Sequence, residues 1–349
     1  MQAETTLLLT AADVEALLGL DDCIAAVEAA FRLLGEGKVA PPGSLGIHAA
    51  SGGFHVKAGV LSRERSYFAA KVNANFPENR VRYGLPTIQG VLVLCDAENG
   101  KRLAVMDSVV ITALRTGAAT AIAAKYLAKE DASSVTVCGC GTQGRIQLRS
   151  LARVRQVKRV FAYDIDQEQA AAFAQQMQDC LRIPITVVQD AMMGTKQSEI
   201  CITCTTARQP IVHHTDIYPG TFVAAVGADN PEKQELHPSL FRSSKKVVVD
   251  LMAQCRTMGD LHHALEAGVT SEQEVHAELA EIVAGTKPGR ESEDEIIIFD
   301  STGLAIQDVA AAAVVYENAM EQGRGFELDF RRHPATTVRE HKCSSTTAI

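Results

Sequence analysis

Ser134-Val135-Thr136-Val137-Cys138-Gly139-Cys140-Gly141-Thr142-Gln143-Gly144 is the stretch whose reading decides the fold. A strand-like run, Val135–Cys138, leads into G-x-G-x-x-G and then into a helical stretch at 145–153. The glycine pattern alone is weak. A strand before it and a helix after it supply the context that its mechanism needs. Gly139 permits a tight turn, Gly141 lets the backbone approach a pyrophosphate, and Gly144 allows helix and strand to pack closely. The pyrophosphate then faces the unpaired N–H groups of the helix N-terminus. The next strand, RVFAYD, ends at Asp164, 20 residues beyond Gly144. A carboxylate there accepts from a ribose 2′-OH and repels a 2′-phosphate, which favours NAD over NADP. The competing reading makes Asp164 a turn former, with Asp166 as the helix cap.

Downstream, the pattern repeats. Strand-like runs lie at 133–139, 157–164, 185–190, 199–206, 220–228, 245–252 and 295–302, separated by helical stretches or turns. Continuous apolar strands with helical crossovers imply a parallel sheet covered on both faces, a Rossmann-type doubly wound α/β fold. Polar residues at 129–133 mark a boundary before it. Upstream, apolar residues recur with helical period from Asp13 to Leu34, with Asp21 as the expected cap of the second of two helices. Residues 35–53 are rich in Gly and Pro and read as turns. Strand-like runs follow at 52–61, 66–76, 87–96 and 101–107, the last two joined by a hairpin turn at 96–100. Asp107 and Ser108 then open a long apolar helix. The expectation is an α+β domain over 1–128, a dinucleotide domain over 129–309, a C-terminal helix over 310–330 that packs back on the first domain, and a disordered tail over 331–349.

Composition narrows the function. A formal net charge of -8 over 349 residues argues against a nucleic-acid partner. No run approaches the roughly 18 apolar residues of a membrane span, and the first residues lack the basic region of a secretory leader. The nine cysteines lie largely in apolar strands and read as reduced core residues of a cytoplasmic protein. Cys201 and Cys204 form C-x-x-C, but three residues apart on a strand they point to opposite faces, so no metal site is expected.

Charge in apolar surroundings points to chemistry. Arg115 is the one charged residue between Asp107 and Lys125, in a helix apolar nearly all round. A buried guanidinium needs a partner, either a protein carboxylate or an anionic ligand held bidentately. In SYFAAKVNANF, Phe68, Ala70, Val72, Ala74 and Phe76 share one face and are read as core. Lys71 shares the other with Asn73 and Asn75, and forms either a pocket wall or a solvated sheet face. Asp229 follows a strand end, where such sheets bind ligands. Asn230 suits the cap and Pro231 the first turn of a following helix, which frees Asp229 for acid–base work.

These residues fall in AAKVNANFPENRVRYGLPTIQG, TALRTGAATAIAAKYLA, CGCGTQG, VGADNPEKQEL and FDSTGLAIQD. Together, in that order, they resemble the ornithine cyclodeaminase/mu-crystallin family from about Leu8 to Phe330. The resemblance implies a substrate and dimerisation domain wrapped around a Rossmann domain, and a homodimer. It implies that Lys71 and Arg115 hold a substrate carboxylate and that Asp229 is the acid–base. Thr87 would lie near the nicotinamide. Thr142 and Gln143 would contact the pyrophosphate, Asp164 the ribose, and Thr205, Val223, Ala224, Ala225 and Val226 would line the cofactor. Lys233, Ser301 and the adjacent Thr302 would add cofactor or substrate contacts. One feature departs from the family: no Arg follows Pro41 and Pro42, and His48, His55 or Lys57 is the candidate substitute. The implied activity is an NAD-dependent amino-acid dehydrogenase or imino-acid reductase. The alternatives are an ornithine- or lysine-type cyclodeaminase, and a non-enzymatic ligand-binding protein.

Overall fold

Each of the seven runs read as strands between 133 and 302 contains a strand in the computed structural model, which describes residues 5–330. The chain begins with β1 (Thr5–Leu9), two helices (Ala11–Leu17 and Leu20–Gly35), β2 (Gly43–Ala49), β3 (Gly52–Ser62), β4 (Ser66–Asn75), β5 (Ile88–Asp96) and β6 (Arg102–Asp107). After the helix Val109–Leu127 come β7 (Ser134–Cys138), β8 (Arg159–Tyr163), β9 (Ile185–Val187), β10 (Ile200–Thr203) and β11 (Arg208–Val212). Then follow β12 (Phe222–Ala225), β13 (Gln234–Leu236), β14 (Lys246–Val249), β15 (Ala277–Glu278) and β16 (Ile297–Asp300). The helix Ala305–Gln322 and β17 (Phe326–Asp329) close the described chain.

The second half forms an eight-stranded sheet in the order β15-β14-β16-β12-β10-β7-β8-β9. Its neighbouring strands are parallel throughout. The chain leaves β7 toward β8 and β9, then returns to β10 on the other side. The crevice at the carboxyl ends of β7 and β10 is therefore the switch point where such sheets bind ligands. β10, β12, β14 and β16 are buried along their whole lengths, as strands covered on both faces must be.

The first half forms a seven-stranded sheet, β17-β1-β6-β5-β4-β3-β2, antiparallel except for the β1–β6 pair. The helix Val109–Leu127 buries residues on every side, including Ile111, Ala118, Ile122 and Leu127. The helix Ala305–Gln322 packs against β3, β4 and the helix Leu20–Gly35, so the end of the chain closes over the first sheet. Such burial is the main favourable term in folding, roughly 1.5–3 kcal/mol for each large apolar side chain.

Several expectations change. On β4 the faces are exchanged. Tyr67, Ala69 and Lys71 are buried, whereas Val72 is 37% exposed. Both faces carry apolar residues, so alternation alone cannot say which one a helix some 240 residues away in sequence will cover. Residues 43–49 form the edge strand β2 rather than turns, because pairing with β3 satisfies their backbone. Gly19, not Asp21, caps the helix Leu20–Gly35; Asp21 lies in its first turn. No helix follows Pro231. Asn230 Oδ1 accepts from the N–H groups of Glu232 and Lys233 at 3.0 and 3.1 Å, and this turn passes directly into β13. The C-terminal helix starts at Ala305 and ends at Gln322, after which β17 pairs with β1. The tail read at 331–349 lies outside the described residues.

Candidate active site

The glycine loop has the conformations its spacing implies. Gly139 has φ of +100°, a region closed to most side chains, and a Cβ there would lie 2.8 Å from the Cys204 carbonyl oxygen. A Cβ on Gly144 would collide with the Gly139 carbonyl, so the helix Thr142–Val154 can approach its strand only with glycine there. A Cβ on Gly141 would meet nothing within 4 Å, which leaves the backbone at the helix N-terminus open to a ligand. Gly141 is the N-cap and offers no side chain to the first N–H groups, including those of Thr142 and Gln143. Asp166 caps the next helix, accepting from the Glu168 and Gln169 N–H groups at 3.0 and 3.2 Å. Asp164 does both things expected of it: its Oδ1 accepts the Asp166 N–H at 3.0 Å, forming the turn, and its Oδ2 faces the loop, accepting the Cys140 N–H at 2.7 Å and the Gln169 amide at 3.0 Å. An anion cradle beside a strand-end carboxylate fits a dinucleotide with a free ribose hydroxyl.

Across the crevice, Lys71 and Arg115 meet on a carboxylate that sequence reasoning missed. Asp308 Oδ1 accepts from Lys71 Nζ at 2.7 Å and from Arg115 Nε at 3.1 Å. Arg115 Nη1 donates to Gln307 Oε1 at 2.9 Å, and Lys71 Nζ also reaches Thr112 Oγ1 at 3.1 Å. Lys71, Arg115 and Asp308 are 2%, 6% and 1% exposed, so the cluster is desolvated. Burial pushes the Lys71 ammonium down to about 7, aided by Arg115 and Lys57 and opposed by Asp308. Burial works the other way on Asp308, but the Lys71 and Arg115 charges hold its carboxyl below the usual carboxylate value. One carboxylate serves two cations, so the cluster retains positive charge for a further anion. The signal for Asp308 was present: it is the one charged residue between Asp300 and Glu317, in the apolar part of its helix, as Arg115 is between Asp107 and Lys125.

Lys57 stands directly opposite Lys71 on β3, and His55 opposite Asn73. Lys57 Nζ donates to the carbonyls of Thr302 and Gly303 at 2.8 and 2.7 Å, tying the first sheet to the loop after β16. Burial, then Arg115, lowers its pKa. Asp229 sits on the turn after β12 and pairs with Lys233 at 2.6 Å. Partial enclosure opposes its ionisation. The charges of Lys233, Lys57 and His55 outweigh that and hold its carboxyl below the usual value. Asp229 feels the charge of Lys57, Gly303 after β16 lies against the Arg115 guanidinium, and Glu235 joins Thr205, beside Gly139 of the loop, to Gly227, two residues before Asp229.

The other expected residues are placed less directly. Ser301 and Thr302 hydroxyls donate to the buried Asp250 at 3.0 and 3.2 Å, so their side chains brace the loop. Thr205 donates through N–H and Oγ1 to Glu235 at 2.6 and 2.7 Å. Val223, Ala224 and Ala225 are buried within β12, and Val226 emerges half-buried at its end. The half-buried Thr87 accepts the Phe76 N–H through its carbonyl at 2.9 Å. Cys201 is buried in β10, while the Cys204 thiol turns to the Gly139 carbonyl at 3.2 Å; all eight cysteines among the described residues are free.

With this geometry in place, comparison with known proteins is decisive. The chain belongs to the ornithine cyclodeaminase/mu-crystallin family. The family's sequence model matches residues 4–323. An alanine dehydrogenase of Archaeoglobus fulgidus is 41% identical over 327 residues, covering 94% of this chain and 99% of that one. An archaeal alanine dehydrogenase dimer with bound NAD superposes with a TM-score of 0.89 at 40% identity, covering 93% of this chain and 99% of that chain. The Δ1-pyrroline-2-carboxylate reductase of Thermococcus litoralis, solved with NADH and L-proline, gives 0.88 at 38% identity, covering 93% and 100%.

The shared carboxylate yields a prediction. Asp308→Ala leaves two buried cations without a counter-ion and destabilises the protein by about 3–5 kcal/mol. Urea denaturation measures it, and a loss below about 1 kcal/mol would contradict the arrangement.

Proposed function

We propose that the protein is an NAD-dependent oxidoreductase acting on the Cα–N bond of a small amino or imino acid. The observation that carries this reading is a buried lysine and arginine sharing one carboxylate, in a chain that also has a dinucleotide loop at its strand ends and a lysine-paired aspartate. The relatives support it: one is named for alanine, and another was solved with NADH and L-proline.

Gly139, Gly141, Thr142, Gln143 and Gly144 hold the pyrophosphate, and Asp164 holds the ribose and selects NAD. Thr87, Thr205, Val223–Val226, Lys233 and Ser301 flank the cofactor. When bound, NAD supplies or accepts a hydride at the substrate carbon. Lys71 and Arg115 hold the substrate carboxylate and fix the orientation of Cα. Asp229 exchanges a proton with the substrate nitrogen or with water. Lys57 and Thr302 shape the wall between them. In the free enzyme the carboxylate-binding form of Lys71 is the protonated one. It is full below about 7 and is lost as pH rises through that value.

The protein works as a homodimer in the cytoplasm. The eight free thiols among the described residues fit a reducing compartment. Phe54, Val72 and Val91 are 39%, 37% and 40% exposed on one face of the first sheet, an apolar patch suited to a second copy.

Three outcomes are expected. A panel of cyclic imines, and of 2-oxo acids with ammonia, contains a substrate that consumes NADH at a rate lost at least 100-fold in Asp229→Asn. Release of ammonia from ornithine or lysine with no net change in NADH would instead favour the cyclodeaminase. In the pH profile of kcat/KM, activity falls above about 7, and Lys71→Arg moves that limb to higher pH; an unmoved limb would exclude Lys71 as its source. Light scattering finds a dimer, and Val72→Asp converts it to a monomer; an unchanged dimer would place the interface elsewhere.

A further inference from the structure

Beyond the groups assigned above, four carboxylates lie fully enclosed behind the crevice: Glu235, Asp250 and Asp260 at 0% exposure and Asp300 at 1%. A buried carboxylate is costly unless donors surround it. Glu235, like Asp250, is served by four donors. Its Oε1 accepts from the Thr205 N–H at 2.6 Å and the Thr205 hydroxyl at 2.7 Å. Its Oε2 accepts from the Thr203 hydroxyl and the Gly227 N–H, both at 2.8 Å. Two of these donors belong to the segment leaving β10 and one to the segment leaving β12, so a single side chain joins the two strand ends that border the crevice. Glu235 is also held from behind. Its own N–H and that of Leu236 donate to Asp260 Oδ1 at 2.7 and 2.8 Å, and the Asp260 and Leu261 N–H groups donate to Asp300 at 3.2 and 2.9 Å.

The consequence concerns Asp229. It lies in the segment 227–235, whose two ends are brought together by the Gly227–Glu235 bond. Within that segment Asn230 Oδ1 gathers the N–H groups of Glu232 and Lys233, and Lys233 pairs with Asp229. From outside, a ring nitrogen of His263 meets the Lys233 carbonyl at 2.9 Å. We propose that Glu235 is a positioning residue for the reaction: it clasps the ends of β10 and β12, closes the turn that carries Asp229, and so sets the aspartate against the cofactor side of the crevice. This rests on the reading of Asp229 as the acid–base group. Burial raises the Glu235 carboxyl above the usual value against the pull of these donors, and two of the four, the Thr205 and Gly227 N–H groups, can only donate. An amide at the same place offers one oxygen and turns an NH2 group toward a backbone N–H that can only donate, which breaks that bond and forces the neighbouring threonine hydroxyl to turn and accept, at nearly constant volume.

The test uses the full-length protein and Glu235→Gln, with turnover expressed per NADH-binding site counted by fluorescence titration. A mutation that only lowers the folded fraction reduces the number of sites and leaves turnover per site unchanged. The expected result is a fall in kcat per site of at least tenfold, with the NADH Kd within threefold of the unaltered protein. Turnover per site within twofold of the unaltered protein overturns the proposal. If Glu235→Gln does not fold, His263→Leu removes only the outer support of the turn and is expected to lower kcat per site about threefold; an unchanged value overturns the proposal. Asp229→Asn separates the two ideas. Full activity there defeats the acid–base reading and the clasp with it. An inactive Asp229→Asn beside a fully active Glu235→Gln defeats the clasp alone.

Discussion

Two cations buried side by side in a protein interior repel each other and cannot both stay charged without an anion between them. Lys71 and Arg115 stand in that position, and Lys57 is opposite Lys71 on the neighbouring strand. The Asp308 carboxylate makes the arrangement tenable, with one oxygen receiving both Lys71 and Arg115. It does so incompletely, because one negative charge faces two positive ones. On the proposed function, the remaining positive potential, in a desolvated place where charge interactions are strong, is what a substrate carboxylate would complete. Burial, with the Arg115 and Lys57 charges beside it, brings the Lys71 ammonium down to about 7, so its charge is present or absent within the physiological range.

That cluster depends on chain segments far apart in sequence. Lys71 comes from β4, Arg115 from the helix that leaves the first sheet, and Asp308 from the C-terminal helix. The helix Ala305–Gln322 therefore covers a sheet face and also supplies the counter-ion. Lys57 reinforces the link by binding the carbonyls just before that helix. The dinucleotide loop belongs to the other sheet, and Gly303, in the segment leaving that sheet's β16, lies against the Arg115 guanidinium. Closure of the C-terminal helix over the first sheet and assembly of the site are in this sense one event.

The parallel sheet was readable because its signals are local. Gly139, Gly141 and Gly144 answer to backbone geometry within a few residues, and each strand announces itself as an apolar run. Arg115 was readable because a charge in an apolar helix is costly wherever the helix lies. Asp308 obeys the same rule and was open to the same argument. The buried face of β4 was not readable, since both faces are apolar enough to be core and the covering helix lies near the other end of the chain. Nor was Glu235, whose role exists only because β13 returns to the ends of β10 and β12. The turn after Asp229 misled for a local reason: Asn230-Pro231 starts turns and helices alike, and the few residues left before β13 decide between them.

The central claim is that a hydride passes between NAD and the carbon beside the carboxylate held by Lys71 and Arg115. Isotope transfer tests it most directly. The protein is incubated with an imino acid and NADH deuterated at nicotinamide C4 on the transferred face, and the amino-acid product is analysed by mass spectrometry and NMR. The account predicts one deuterium per product molecule, located at Cα. Product with no deuterium at Cα, in an incubation where the labelled NADH is consumed, would contradict it.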